Sequence, residues 1–430
     1  MNMQPKRRKP RRHQLRHALL ACGVSLAIAN PAFADAVTEW NLKTGTVIGF
    51  TGGPPLQTRA YAMVQIAVHD ALNAIDPRYK SYTKIGAFSP GASPEAAVAR
   101  ATRDVLIGQL PDAQDAIVAA MYDVYIGGLG CAPAQPTCIS DGEDAGAAAA
   151  AAMLQERLLD GSENPHRPYT LAAGPGVYQS TLPAPAAGPL IQFGGWGEVE
   201  PFALGNASQF MSPREKMLDI TSDAYATDYN EVKALGSFAV RNAVPDSEES
   251  RIARYWPGGG ANHNAIARTI VGGMARDLWD NAHLFALMNM AVADAVTATF
   301  HVKYKYNFWR PYNAIRWLPD DGNPGTESDP TWTSYITTPP YPDYTCGLPT
   351  IVGAATGMLR EYFGTDAVPY SLAAVGLNRS YDTLSQASAE AASARVYGGI
   401  HFRTGCVRGV EQSEDVASFV FHTQLRALQP

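Results

Sequence analysis

Three short segments in the last third of the 430-residue chain combine fixed cations, free backbone N–H groups and a histidine. The first is Lys303-Tyr304-Lys305-Tyr306-Asn307-Phe308-Trp309-Arg310-Pro311. Lys303 and Arg310 lie seven residues apart, two helical turns, so both are expected to leave one face of a helix end that Pro311 then stops. A solvated cationic terminus would suit Lys305, but the flanking aromatics imply burial. The second segment runs from Pro342 through Asp343, Tyr344, Thr345, Cys346, Gly347 and Leu348 to Pro349-Thr350, then enters an apolar run. A glycine turn at a helix N-terminus presents unpaired N–H donors and a positive dipole, which suits an anion. In the third, Arg395 and His401 are six apart, with Gly398 and Gly399 between them letting the backbone approach a ligand closely. A lone histidine in apolar surroundings is usually a core residue, and the nearby guanidinium shifts the reading toward a ligand site. Lys303, Arg310 and Arg395 supply three cations for one tetrahedral oxyanion, and the two arginines are forks suited to bidentate contact. Burying three like charges without an anion is very costly, so the site implies its ligand.

The segments resemble the signature of the vanadium-dependent haloperoxidases and the related type 2 phosphatidic-acid phosphatases (the PAP2 superfamily): Lys-x6-Arg-Pro, then Pro-Ser-Gly-His, then Ser-Arg-x3-Gly-x-His. Lys303, Arg310 and Pro311 match the first motif completely. Arg395, Gly399 and His401 match the third, with Ala394 in place of its serine. The likeness to bacterial haloperoxidase-like proteins extends to Ala62-Met63-Val64 with Asp70-Ala71 and Asn73-Ala74-Ile75, to Asn262 through Arg268, and to Ala314-Ile315-Arg316, so it covers essentially the whole mature chain. It implies that vanadate, or phosphate in the same site, is held by Lys303, Arg310, Arg395 and the backbone N–H of Gly347. It implies His401 as the catalytic residue: the metal ligand where vanadium and hydrogen peroxide oxidise a halide, or the nucleophile of a phosphatase. Hydrogen peroxide, a halide and an organic acceptor are the implied small-molecule partners, and a homodimer is an expectation.

The second motif departs from the pattern. Aligned on Gly347, Cys346 replaces a serine that hydrogen-bonds the oxyanion, and Leu348 stands where the family keeps a general acid/base histidine. Losing such a group typically costs roughly 10²–10⁴ in rate. His301, His263 and Asp343 are the residues that could replace it. Three readings follow: a vanadium-dependent haloperoxidase-like enzyme with a modified acid/base group, which leads; a PAP2-type acid phosphatase using His401; and a non-catalytic or redox-neutral oxyanion-binding relative. Other chemistries lack their signatures, because the chain has no Gly-x-Ser-x-Gly, His-Glu-x-x-His, phosphate-binding Gly-Lys-Ser/Thr loop or Cys-x-x-Cys zinc pattern.

The elements that must position these residues read as helical. Residues 59–76 are apolar nearly all round, as in a buried helix. Further helices are expected at 95–108, 113–125, 143–159, 213–234, 249–255, 349–363, 368–376, 380–398 and 407–427. The stretch 264–304 is the most apolar; Asn289, Asp294 and Thr297 interrupt Leu284–Phe300, which makes it a central core helix rather than a membrane span. Pro and Gly crowd 162–212, an irregular connection expected to wrap over the helices. The fold class is all-α, and the resemblance implies helical bundles carrying the site at one end.

Residues 1–34 read as a signal peptide: seven basic residues, an apolar run from Ala18 to Ala29, and the cleavage signal Ala32-Phe33-Ala34. Export to the periplasm or medium is expected, through the Sec route or the twin-arginine route that Arg11-Arg12 resembles. That segment holds 7 of the 34 Lys and Arg and none of the 40 Asp and Glu, leaving 27 against 40, a formal −13. A surface that acidic argues against nucleic acid and anionic membranes. Residues 35–430 show no linker and are expected to form a single domain. Four cysteines remain, and in an oxidising compartment they are expected to pair as Cys131–Cys138 and Cys346–Cys406.

Overall fold

The computed structural model describes residues 35–181 and 190–428; the segment read as a signal peptide lies outside them. The first helix, α1 (Ala36–Val47), starts directly after the expected cleavage point, where Asp35 and Thr38 form a reciprocal capping box. Next come α2 (Pro54–Ile75), α3 (Pro94–Gln109), α4 (Asp115–Ile126) and α5 (Cys138–Glu156). After the irregular stretch follow α6 (Asp223–Leu235), α7 (Phe238–Ala243), α8 (Glu248–Tyr255), α9 (His263–Val271) and α10 (Leu278–Tyr306). The chain ends in α11 (Pro311–Ile315), α12 (Gly347–Phe363), α13 (Leu384–Tyr397) and α14 (Arg403–Thr423). The all-α expectation holds.

The axis of the fold is α10. It packs on α2 on one side and on α12 and α14 on the other, while α2 also meets α3 and α5. One continuous buried cluster includes Met63, Ile66, Leu72, Phe285, Met288, Val292, Met358 and Val416. Two of the polar residues that interrupt α10 hold neighbouring segments in place. Asn289 bonds the side chains of His263 and Asn264 on α9, at 3.0 Å each. Asp294 accepts backbone N–H groups of Phe202, Ala203 and Leu204 at 2.6, 2.8 and 3.0 Å, and so moors the irregular connection to the core. Burial still pushes its carboxyl up to about 6, because three backbone donors only partly replace water.

Two expectations are corrected. Residues 368–376 are not helical: β1 (Tyr370–Ala374) and β2 (Leu377–Tyr381) form an antiparallel hairpin. Burial alternates along β1, and Val375 and Gly376 both take positive φ, at 46° and 75°, as a two-residue hairpin turn requires. The Tyr370 and Tyr381 rings pack across the strands, tilted by 36°, with centroids 5.1 Å apart. The other correction concerns 213–234, where α6 begins only at Asp223, after the single turn Lys216–Leu218, because Ser222 caps the Tyr225 N–H. The Cys131–Cys138 disulfide is present and closes the loop before α5.

Candidate functional site

The three segments meet where α10, α12 and α13 end or begin. The helical face predicted for Lys303 and Arg310 is not how they converge. Asn307 takes a left-handed conformation, φ 49°, and ends α10 while its N–H bonds back to Lys303 O. Only Lys303 is therefore on α10; Arg310 sits before Pro311 as the N-cap of α11, having crossed the turn. Both are 0% exposed. The Lys303 ammonium donates to Pro342 O at 3.0 Å and Asp343 O at 2.8 Å. Arg310 donates from Nε to Tyr341 O at 2.7 Å and from Nη1 to Ile400 O at 2.8 Å.

Arg395 occupies the last turn of α13. Gly399 then turns the chain with φ 75°, and a Cβ there would sit 2.0 Å from Gly236 O. No other residue fits, which is the physical reason for glycine two positions before His401. Gly347 opens α12, and its N-cap, Cys346, gives the first turn no side-chain cap. The N-terminus of α12 thus keeps its donors and positive dipole for a ligand.

His401 is buried between charges. Its Nε2 lies 2.8 Å from Arg310 Nη1 and its Nδ1 lies 2.8 Å from Asp343 Oδ1. A guanidinium only donates, so Nε2 is the acceptor and the ring proton sits on Nδ1, close to the carboxylate but not hydrogen-bonded to it. Burial, then the charges of Arg310, Lys303 and Arg395, hold the imidazole well below its ordinary pKa. Its Nε2 lone pair is free of protons and turned toward the cations. Burial and the Arg310 charge bring Lys303 down to about 7, and burial pushes Asp343 up to about 7 against Arg310 and Lys303.

Buried donors without partners reveal what is missing. Arg310 Nη2, Arg395 Nε, Arg395 Nη1 and Thr345 Oγ1 have no hydrogen bond, although the three residues are buried. Four orphaned donors beside a compensating carboxylate that is only partly ionised at neutral pH make a site that fits a tetrahedral oxyanion. Arg395, His401, Gly347 and Leu348 line one cavity of about 490 Å³, whose far wall includes Tyr61, Trp256 and His263.

The residues weighed as replacement acids separate. His301 faces the Trp196–Glu198 turn, with its backbone where a Gly197 Cβ would fall. His263 lines the cavity, but burial lowers it to about 4 and Asn289 holds its Nε2. Asp343 contacts His401 from behind. Sequence reasoning missed Tyr341, whose ring lies 5.3 Å from the Lys303 ammonium and 5.0 Å from the Arg310 guanidinium, a cation–π shelf under both charges. It also missed Thr345. The Cys346–Cys406 bridge expected from the even cysteine count is not formed: both are free thiols, buried side by side. Burial opposes ionisation of Cys346, yet the Cys406 thiol and the Arg395 and Lys303 charges outweigh it and hold that thiol below its ordinary value.

The two titrations near 7 carry a sign. Below about pH 7 Lys303 is cationic and Asp343 neutral; above it Lys303 is neutral and Asp343 anionic. Both changes make the site less positive as pH rises. Sulfate, which stays doubly charged from pH 6 to 8.5, should therefore bind more weakly above pH 7, by about tenfold per pH unit for each coupled proton. Calorimetric titration across that range checks this, and a level affinity would contradict it.

A family model described as the VCPO second helical-bundle domain matches residues 283–430. A vanadium chloroperoxidase of Curvularia inaequalis is 35% identical over 94 residues, 20% of this chain and 15% of that enzyme's length. The crystal structure titled as the first bacterial vanadium-dependent iodoperoxidase superposes with a TM-score of 0.75 at 25% identity, covering 92% of this chain and 97% of that one. A holo-type bacterial vanadium-dependent chloroperoxidase shares the fold at TM-score 0.69 and 17% identity, over 89% of this chain and 96% of that one. The chain thus shares its fold with bacterial vanadium-dependent haloperoxidases, and its last third matches the helical-bundle family of the vanadium chloroperoxidases in sequence.

Proposed function

We propose that the protein binds vanadate and oxidises halide with hydrogen peroxide for transfer to an organic acceptor. The observation that carries this reading is the set of orphaned donors on buried Arg310, Arg395 and Thr345, with Arg310 bonded to the unprotonated Nε2 of His401. Lys303, Arg310, Arg395 and the Gly347 N–H would hold the oxyanion, and His401 Nε2 would ligate the metal. Bound vanadate would supply a Lewis acid at which peroxide becomes electrophilic toward halide.

The chain's own groups do the rest. The three cations would neutralise a bound oxyanion and stabilise negative charge on its oxygens. The Asp343 carboxylate, 2.8 Å from Nδ1, offsets positive charge beside the ring, and Nε2, which accepts from Arg310 Nη1, would exchange that contact for the metal. The apolar wall formed by Ile48, Val296, Phe300, Leu348 and Ile351 excludes water beside the anion. No ionisable side chain stands at Leu348, so proton delivery is the slow point, and activity is expected to be low.

The Asp343–His401 contact also favours a second reading, an acid phosphatase in which Nε2 attacks phosphorus and the carboxylate stabilises the charged imidazole. Vanadate-loaded protein with peroxide and bromide should brominate a phenol dye, whereas the phosphatase should release phosphate from an aryl phosphate and be inhibited by vanadate. His401→Ala should weaken vanadate binding at least tenfold. Stoichiometric binding that survives this substitution unchanged would remove the proposal.

A further inference from the structure

We propose that Cys346 and Cys406 are a peroxide-sensitive dithiol in the wall of the anion site, which hydrogen peroxide closes into a disulfide. The two residues are distant in sequence but fixed side by side. The Cys346 N–H donates to Gly405 O at 3.0 Å, so the backbone holds the cysteines on adjacent strands of chain. Gly409 lets α14 press on the N-terminus of α12, since a Cβ there would meet Cys346 O at 2.9 Å. Both thiols are fully buried, packed with Ala392 and Val410. The two sulfurs and one ring nitrogen of His401 all lie within 4.8 Å of one another.

That trio has the donor types of a soft-metal site, but Lys303, Arg310 and Arg395 crowd it with positive charge and oppose a divalent cation. Oxidation meets no such opposition. Cys346 precedes Gly347 in the chain and its sulfur lies within 4.8 Å of a His401 ring nitrogen; Gly347 and His401 both line the cavity, and peroxide is scarcely larger than water. The Cys346 sulfur attacks one peroxide oxygen, the O–O bond breaks, and a sulfenic acid and one water result. The Cys406 sulfur then attacks the sulfenyl sulfur, the S–O bond breaks, and the second oxygen leaves as water. Two thiols become one disulfide, and one peroxide is reduced by two electrons.

The consequence for the site rests on the oxyanion-binding reading. The disulfide withdraws the Cys346 S–H from the wall and ties the N-terminus of α12 to α14. Oxyanion affinity is then expected to drop about tenfold, the worth of one hydrogen bond to a charged ligand.

The test uses the whole mature protein, reduced and free of vanadate, treated with equimolar hydrogen peroxide. Mass mapping of unreduced peptides should find the Cys346–Cys406 link with the loss of two hydrogens, reversed by dithiothreitol. In Cys406→Ser, Cys346 should instead gain oxygen. Two intact thiols after treatment, or independent oxidation of each without a link, would overturn the proposal. Vanadate titration of the reduced protein is read separately. Failure to bind sinks the functional reading and leaves the dithiol standing, whereas binding without a link sinks the dithiol alone.

Discussion

Replacing Arg395 by alanine is expected to lower oxyanion affinity by roughly 30- to 1,000-fold, about 2–4 kcal/mol, while leaving the anion-free protein at least as stable as before. The two effects differ because Arg395 differs from its neighbours. Lys303 and Arg310 each satisfy backbone carbonyls, so removing either strands buried acceptors. Arg395 has Nε and Nη1 unpaired and is almost fully buried, so in the anion-free state it is an uncompensated charge. Deleting it relieves a desolvation penalty and forfeits only ligand contacts. Thermal unfolding in oxyanion-free buffer should give a midpoint equal to or above that of the parent. Added vanadate should raise the parent's midpoint by mass action and the variant's hardly at all. A variant with a lower midpoint and undiminished affinity would mean that Arg395 is a structural residue and that the site has another architecture.

What the sequence made legible follows from what fixes each feature. The cations and His401 were readable because their residue types have few other uses beside aromatics and glycines; Arg395 and His401 line one cavity, and Arg310 bonds His401 Nε2. The route of convergence was not readable. Asn307 can continue a helix or end one, and only its left-handed conformation moves Arg310 off α10. The hairpin at Tyr370–Tyr381 was hidden for a similar reason: Val375 at positive φ defies its own preference, which tertiary packing overrides. Asp343 was named as a replacement acid, but its position behind the imidazole depends on a turn that no spacing rule encodes. The cysteine pairing was inferred from number and compartment, neither of which measures the distance between two sulfurs or the redox state in which they rest.

Leu348→His is expected to raise turnover by about 10²–10⁴ in whichever oxyanion reaction the protein performs, with little change in oxyanion affinity. Leu348 lies in the first turn of α12, half-buried, on the same cavity wall as Gly347, Arg395 and His401. An imidazole there would line the same cavity as His401, whereas the Asp343 carboxylate lies 2.8 Å from His401 Nδ1 and is not among the cavity-lining groups. Part of the leucine packing against the core would be lost, costing about 1 kcal/mol of stability, which a protein of this size tolerates. A gain in rate alone could come from a wider or wetter cavity, so the diagnostic is the pH profile. The histidine variant should acquire a limb near its own ionisation that the parent lacks, and Leu348→Gln, equally polar but unable to transfer a proton at neutral pH, should show neither limb nor gain. If histidine and glutamine behave alike, proton transfer at position 348 is not what limits the chemistry, and the low activity expected of this chain would have to arise from the dithiol wall at Cys346 instead.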